Sequence, residues 1–169
     1  MSATIAFLTI GGSNIAISHE CMLNQLAVTP KTDGDFGWYS GLTEKYIVEV
    51  QNFKPSEDVD VFPEPPLIIK SRMSEHVCTI DGGVWKKDGF YTSLDESTIF
   101  VFEFSGERSS LISYNLATCA QKAALDVSGL RWTIDKNRIT LIAECRRGAP
   151  KHCRPKREVV LGNDCNLIK

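Results

Sequence analysis

The chain predicts an all-β fold of antiparallel sheets with few short helices, and three observations carry that prediction. Apolar residues come in short runs rich in β-branched and aromatic types: Tyr46, Val48 and Val50 alternate with Ile47 and Glu49, and Ile99, Val101 and Glu103 alternate with Phe100, Phe102 and Phe104. Turn-forming clusters recur between such runs, at 10–14 (IGGSN), 31–35 (KTDGD), 81–83 (DGG), 87–89 (KDG), 105–107 (SGE), 126–129 (DVSG) and 146–150 (RRGAP). Helical stretches are scarce. Residues 19–28 (HECMLNQLAV) and 116–126 (LATCAQKAALD) are the candidates, and the second reads equally as two strand halves around a turn.

A length of 169 residues with 43% hydrophobic content suffices for one well-buried core or a few small stacked units, so residues 1–169 are read as a single β-rich domain. No run approaches the roughly 18 apolar residues of a membrane-spanning helix. The first residues, MSATIAFLTIGG, have no basic residue before the apolar stretch and no small-residue cleavage site after it. A cytoplasmic address is the expectation, with a periplasmic or secreted protein that has lost its leader as the alternative. Charge is unevenly spread: residues 1–130 carry 9 Lys/Arg against 17 Asp/Glu, and residues 131–169 carry 10 against 4. An acidic first part and a basic last part bear on the choice of partner more than on the fold.

Taken in order, the segments echo one another. Residues 37–50 (GWYSGLTEKYIVEV) align with 89–102 (GFYTSLDESTIFVF), pairing Trp38 with Phe90, Tyr39 with Tyr91, Leu42 with Leu94, Glu44 with Glu96 and Ile47 with Ile99. A third copy starts at Gly129 (GLRWTIDKNRITLI), where Thr133, Ile134, Asp135, Ile139 and Leu141 match Ser93, Leu94, Asp95, Ile99 and Val101. Units beginning near 37, 89 and 129, each a strand, a polar turn and a second strand, have the size of an antiparallel blade. Over about residues 83–161 the pattern resembles the blades of β-propeller families, although no Trp-Asp dipeptide ends a strand and no Gly-His begins a unit. A propeller-like repeat or a β-sandwich is the architecture this implies.

Between the first two copies lies 53–74 (FKPSEDVDVFPEPPLIIKSRMS), whose four prolines argue for an exposed connection or edge, since each removes a ladder donor. Glu57, Asp58, Asp60 and Glu64 interleave with Val59, Val61 and Phe62. An apolar anchor ringed by negative charge suits docking on a basic protein surface. The plainer reading is a loop whose Val and Phe side chains tuck into the core. The counterpart is 145–157 (CRRGAPKHCRPKR), where Arg146, Arg147, Lys151 and Arg154 form a second candidate protein contact. Direct nucleic-acid binding is not expected: the overall pI is near 5.9 and no aromatics interleave with the basic run.

Each histidine stands within two residues of a cysteine: His19 with Cys21, His76 with Cys78, His152 with Cys153. On a strand, His-x-Cys puts both side chains on one face, so His19, Cys21, His76 and Cys78 form an alternative metal set. The spacings match no standard zinc module, and buried thiols come first in the reading. Cys145, Cys153 and Cys165 cluster near the end and offer a disulfide in an oxidising compartment. No nucleophile elbow, phosphate loop or His-Glu-x-x-His helix is present. The chain is therefore not expected to be an enzyme, and no cofactor is expected.

A motif-poor, unevenly charged β-domain of this size resembles, in general type, the bacterial immunity proteins that cover the active site of a partner toxin. That resemblance implies a protein partner with a basic domain, such as a nuclease toxin, and no membrane. It assigns no individual residue, and oligomeric state stays open. The alternatives are a structural β-repeat interaction module and a small metal-binding enzyme using the His/Cys pairs.

Overall fold

The computed structural model describes residues 21–143 and 157–168. Strands numbered in chain order form three antiparallel sheets. The first outer sheet runs β2 (Thr29–Thr32), β3 (Asp35–Leu42), β4 (Tyr46–Gln51), β6 (Leu67–Ser71), β7 (Val77–Ile80). The middle sheet runs β1 (Leu23–Gln25), β8 (Val84–Ser93), β9 (Thr98–Ser105), β10 (Arg108–Asn115), β11 (Gln121–Asp126), with β5 (Val61–Pro63) beside the other half of β8. The second outer sheet runs β12 (Leu130–Asp135), β13 (Arg138–Ala143), β14 (Arg157–Leu161), β15 (Leu167–Ile168).

Two cores result, one on each face of the middle sheet. Ile99 and Val101 of β9 join Tyr39, Val48, Val50, Leu67 and Ile69 of the first outer sheet. Phe100, from the opposite face of the same strand, joins Ile139, Leu141, Val159 and Leu161 of the second, with Phe102 packed against them. A strand covered on both faces needs apolar residues at consecutive positions, which is why 99–102 reads Ile-Phe-Val-Phe. In β4, by contrast, Glu49 faces the solvent side of an outer sheet. It is buried there under Lys31 and Lys70, at 2.7 and 2.6 Å.

The expectation of antiparallel all-β structure is met, but no helix occurs among the described residues. In 21–28 the helix-like spacing has another cause. Cys21 and Leu23 belong to one core and Leu26 and Val28 to the other, so the chain changes face as it passes the edge of the middle sheet. Residues 116–120 form a turn and 121–126 the strand β11. Proline confines only the first part of 53–74: Pro55, Pro63, Pro65 and Pro66 all precede Leu67, and the proline-free LIIKS becomes an interior strand between β4 and β7.

The three echoing segments form the hairpins β3–β4, β8–β9 and β12–β13, one in each sheet. Matched positions do not share a face. Phe90 is buried in the first core, whereas its counterpart Trp38 is partly exposed on the outside of its sheet. Each sheet contains a meander, as a propeller blade does, but a propeller closes its blades into a ring. Among the described residues no third cluster joins the two outer sheets, so the propeller resemblance is not confirmed.

Candidate functional site

The acidic segment leaves β4 at Asn52, whose buried amide organises it. Nδ2 of Asn52 donates to the carbonyls of Lys54 (2.8 Å) and Glu57 (2.9 Å), and Oδ1 accepts from the Lys54 amide (3.0 Å). The Phe36 amide donates to the Pro55 carbonyl, and the Lys87 amide to that of Asp60. Further on, the Trp85 indole donates to the Pro65 carbonyl at 2.7 Å. A loop pinned at this many points presents its side chains with little left to order on binding.

Glu57, Asp58, Asp60 and Glu64 are all exposed. Asp58 is nonetheless engaged within the molecule. Its Oδ1 accepts from the Tyr39 hydroxyl at 2.5 Å and from Lys87 Nζ at 2.6 Å, and that ammonium lies 5.2 Å from the centre of the Tyr39 ring. Lys87, then Tyr39, hold the Asp58 carboxyl below the usual range. Burial, reinforced by Asp58, pushes the Tyr39 hydroxyl up to about 12. Charge available for a partner therefore rests with Glu57, Asp60 and Glu64, which make no ion pair among the described residues.

Phe62 is not a docking anchor. It is fully buried, edge-on to Tyr39 at 4.9 Å, because β5 pairs with β8 and turns this side chain into the first core. The exposed aromatic of the segment is Phe53, at 57% relative accessibility. Sequence reading missed it, although its place just past a strand end, next to Lys54 and Pro55 and outside any alternation, is a signal of exposure. Arg146, Arg147, Lys151 and Arg154 lie outside the described residues.

The alternative metal set is overturned by covalent chemistry. Cys21 is bonded to Cys165 and Cys78 to Cys119, which removes both thiolates. His76 is exposed on the turn before β7, and His19 lies outside the described residues. The expected grouping of Cys165 with Cys145 and Cys153 is corrected too, since its partner comes from the other end of the chain. Among the described residues no three His, Cys, Asp or Glu side chains converge as metal ligands would.

One turn carboxylate serves a tertiary role rather than the local one its sequence position suggests. Glu96, at φ 57° in the β8–β9 turn, accepts from the Thr43 hydroxyl (2.6 Å) and from the amides of Glu44 (2.9 Å) and Lys45 (2.7 Å). Burial alone would raise its pKa, but these donors together with the Lys45 charge lower it. The clasp locks the hairpin tip of the middle sheet to that of the first outer sheet.

Comparison with known proteins is in keeping with a surface built for binding. A family model described as "Immune protein Tsi1" matches residues 21–165. The "Immune protein Tsi1" of Pseudomonas aeruginosa strain PAO1 is 35% identical over 136 residues, which cover 79% of this chain and 78% of that protein.

Proposed function

The chain belongs to the Tsi1 immune protein family, and from that premise we propose that it neutralises a cognate bacterial toxin by binding it and covering its active site. The observation that carries this reading is the family match across residues 21–165, nearly the whole of the three sheets. The chain acts as a binding partner. Its pinned acidic loop, on which Phe53, Glu57 and Asp60 are all exposed, supports a partner with a basic face.

The two disulfides support a working place in an oxidising compartment, which is the periplasmic or secreted alternative rather than the cytoplasm. Alkylation and mass spectrometry of the protein isolated from its host test this. Protection of Cys21, Cys78, Cys119 and Cys165 supports it, and alkylation of these four contradicts it.

Affinity purification from the host tests the function itself: one stoichiometric protein partner is expected. Assaying that partner's activity, with and without the chain, then decides between a nuclease and another toxin. With the pair in hand, charge reversal at Glu57 and Asp60 is expected to slow association at low salt about tenfold. Asp58 reversal is the control that disturbs folding instead, because it breaks the contacts to Tyr39 and Lys87. Association rates indifferent to Glu57 and Asp60 at low salt would place the partner elsewhere on the molecule.

A further inference from the structure

Two disulfides join described residues, and they stand in unlike surroundings. Cys21 and Cys165 are 4% and 1% exposed and belong to the second core, with Leu23, Val159 and Leu161. A thiolate reaches that bond only when the core around it opens, which is a rare event in a folded protein. Cys78 and Cys119 are both partly exposed and pack against the first core from its margin. Solvent reaches both residues of this pair without any opening.

The elements on either side of Cys78–Cys119 are also built without it. Cys119 lies in the β10–β11 turn, which closes on its own hydrogen bonds: Oδ1 of Asn115 accepts from the amides of Ala117 (2.9 Å) and Thr118 (3.0 Å), and the Cys119 amide donates to the Asn115 carbonyl at 2.8 Å. Cys78 lies in β7, an edge strand paired with β6 from Val77 to Ile80, with Ile80 buried in the first core. Breaking the bond therefore removes neither the turn nor the strand. A freed Cys78 thiol has an acceptor in place, since its Sγ stands 4.0 Å from the Leu116 carbonyl oxygen. The two sulfurs differ in access. Cys78 faces the core from a strand whose Val77 and Thr79 are exposed, whereas Cys119 sits on a turn with Ala117, Thr118 and Ala120 exposed around it.

We propose that Cys78–Cys119 is a thiol–disulfide exchange site, opened and closed by dithiols while the protein stays folded, and that Cys119 carries the sulfur they attack. Accessible disulfides are the exchangeable ones, and well-buried disulfides are the permanent ones. An incoming thiolate bonds to Sγ of Cys119 as the bond to Cys78 breaks, and the electron pair leaves on Sγ of Cys78, which takes up a proton. The second thiolate of the dithiol then attacks its own first sulfur, and Cys119 leaves as a thiolate. Two electrons have passed: the dithiol is now a disulfide, and Cys78 and Cys119 are thiols. The reverse sequence closes the bond again. Cys21–Cys165 takes no part and holds the second core throughout.

Timed reduction of the native, oxidised chain by dithiothreitol, stopped with iodoacetamide and read by peptide mass mapping, tests this. Cys78 and Cys119 are expected to be alkylated together, at least about tenfold faster than Cys21 and Cys165. With the monothiol glutathione instead, the trapped intermediate is expected to carry glutathione on Cys119 and the alkyl group on Cys78. Far-UV circular dichroism after the first phase is expected to match that of the oxidised protein. Equal rates at the two bonds, the reverse order, resistance of both, or glutathione on Cys78 would each overturn the proposal, as would loss of the strand signal in the first phase. None of these outcomes bears on toxin binding, which has its own test.

Discussion

At the scale of single residues, what a side chain does here is set by which strand carries it past which neighbour. Phe62 and Phe53 are both aromatic, nine positions apart in one polar segment, yet one is fully buried and the other mostly exposed. Asp58 was legible as an exposed acid, but its bonds to Tyr39 and Lys87 come from strands 19 and 29 positions away in the chain. Glu96 gives a test at this scale. Its folded pKa is lowered, so its contribution is complete above the unfolded carboxylate range and is lost as pH falls through the folded value. Glu96→Gln is expected to cost about 1–2 kcal/mol at neutral pH, the worth of hydrogen bonds to a charged acceptor. As pH falls below the unfolded carboxylate range toward the lowered folded value, the gap to wild type closes. Urea unfolding at a series of pH values measures it, and a gap independent of pH would deny the carboxylate its role.

At the scale of elements, local pattern named the strands but not their faces. The echo at 37, 89 and 129 marks three hairpins, and the reason it reads as repetition is that every hairpin needs a polar turn between two β-branched runs. Its glycines differ in kind. A Cβ on Gly89 would lie 2.7 Å from Cβ of Phe102, close to the backbone of β9, and the β8–β9 register shifts between Trp85 and Phe90. A Cβ on Gly37 would meet only the Asp35 carboxylate at 3.1 Å and Pro55 at 3.5 Å. Gly89→Ala is therefore expected to destabilise by about 1–3 kcal/mol, as overpacking does, and Gly37→Ala by clearly less. Thermal unfolding compares them, and equal losses would count against the close approach. The strand LIIKS and the false helix at 21–28 were hidden for related reasons. Proline density was read over a window wider than a strand, and a change of face imitates helical spacing.

At the scale of the whole molecule, each core has its own covalent staple. Cys78–Cys119 fastens the first outer sheet to the β10–β11 turn of the middle one. Cys21–Cys165 fastens the residues before β1 to the second outer sheet. The sequence separations are 41 and 144, for which chain entropy predicts about 4 and about 5 kcal/mol of stabilisation. Replacing each pair by serine is expected to lower the unfolding free energy by a large part of those amounts, the longer loop losing more, and denaturant titration with and without reductant checks it. Wild-type midpoints that ignore reductant would argue against both bonds. Which cysteines pair was not legible, because six thiols allow 15 connectivities and spacing does not choose among them. By itself the sequence determined that this is antiparallel sheet cut by regular turns, since strand and turn preferences act between near neighbours. Only the tertiary structure decided that β9 is covered on both faces and that Phe62 is core and Phe53 surface. A strand's own residues state how apolar each face is. What lies against that face is chosen by segments far away in the chain.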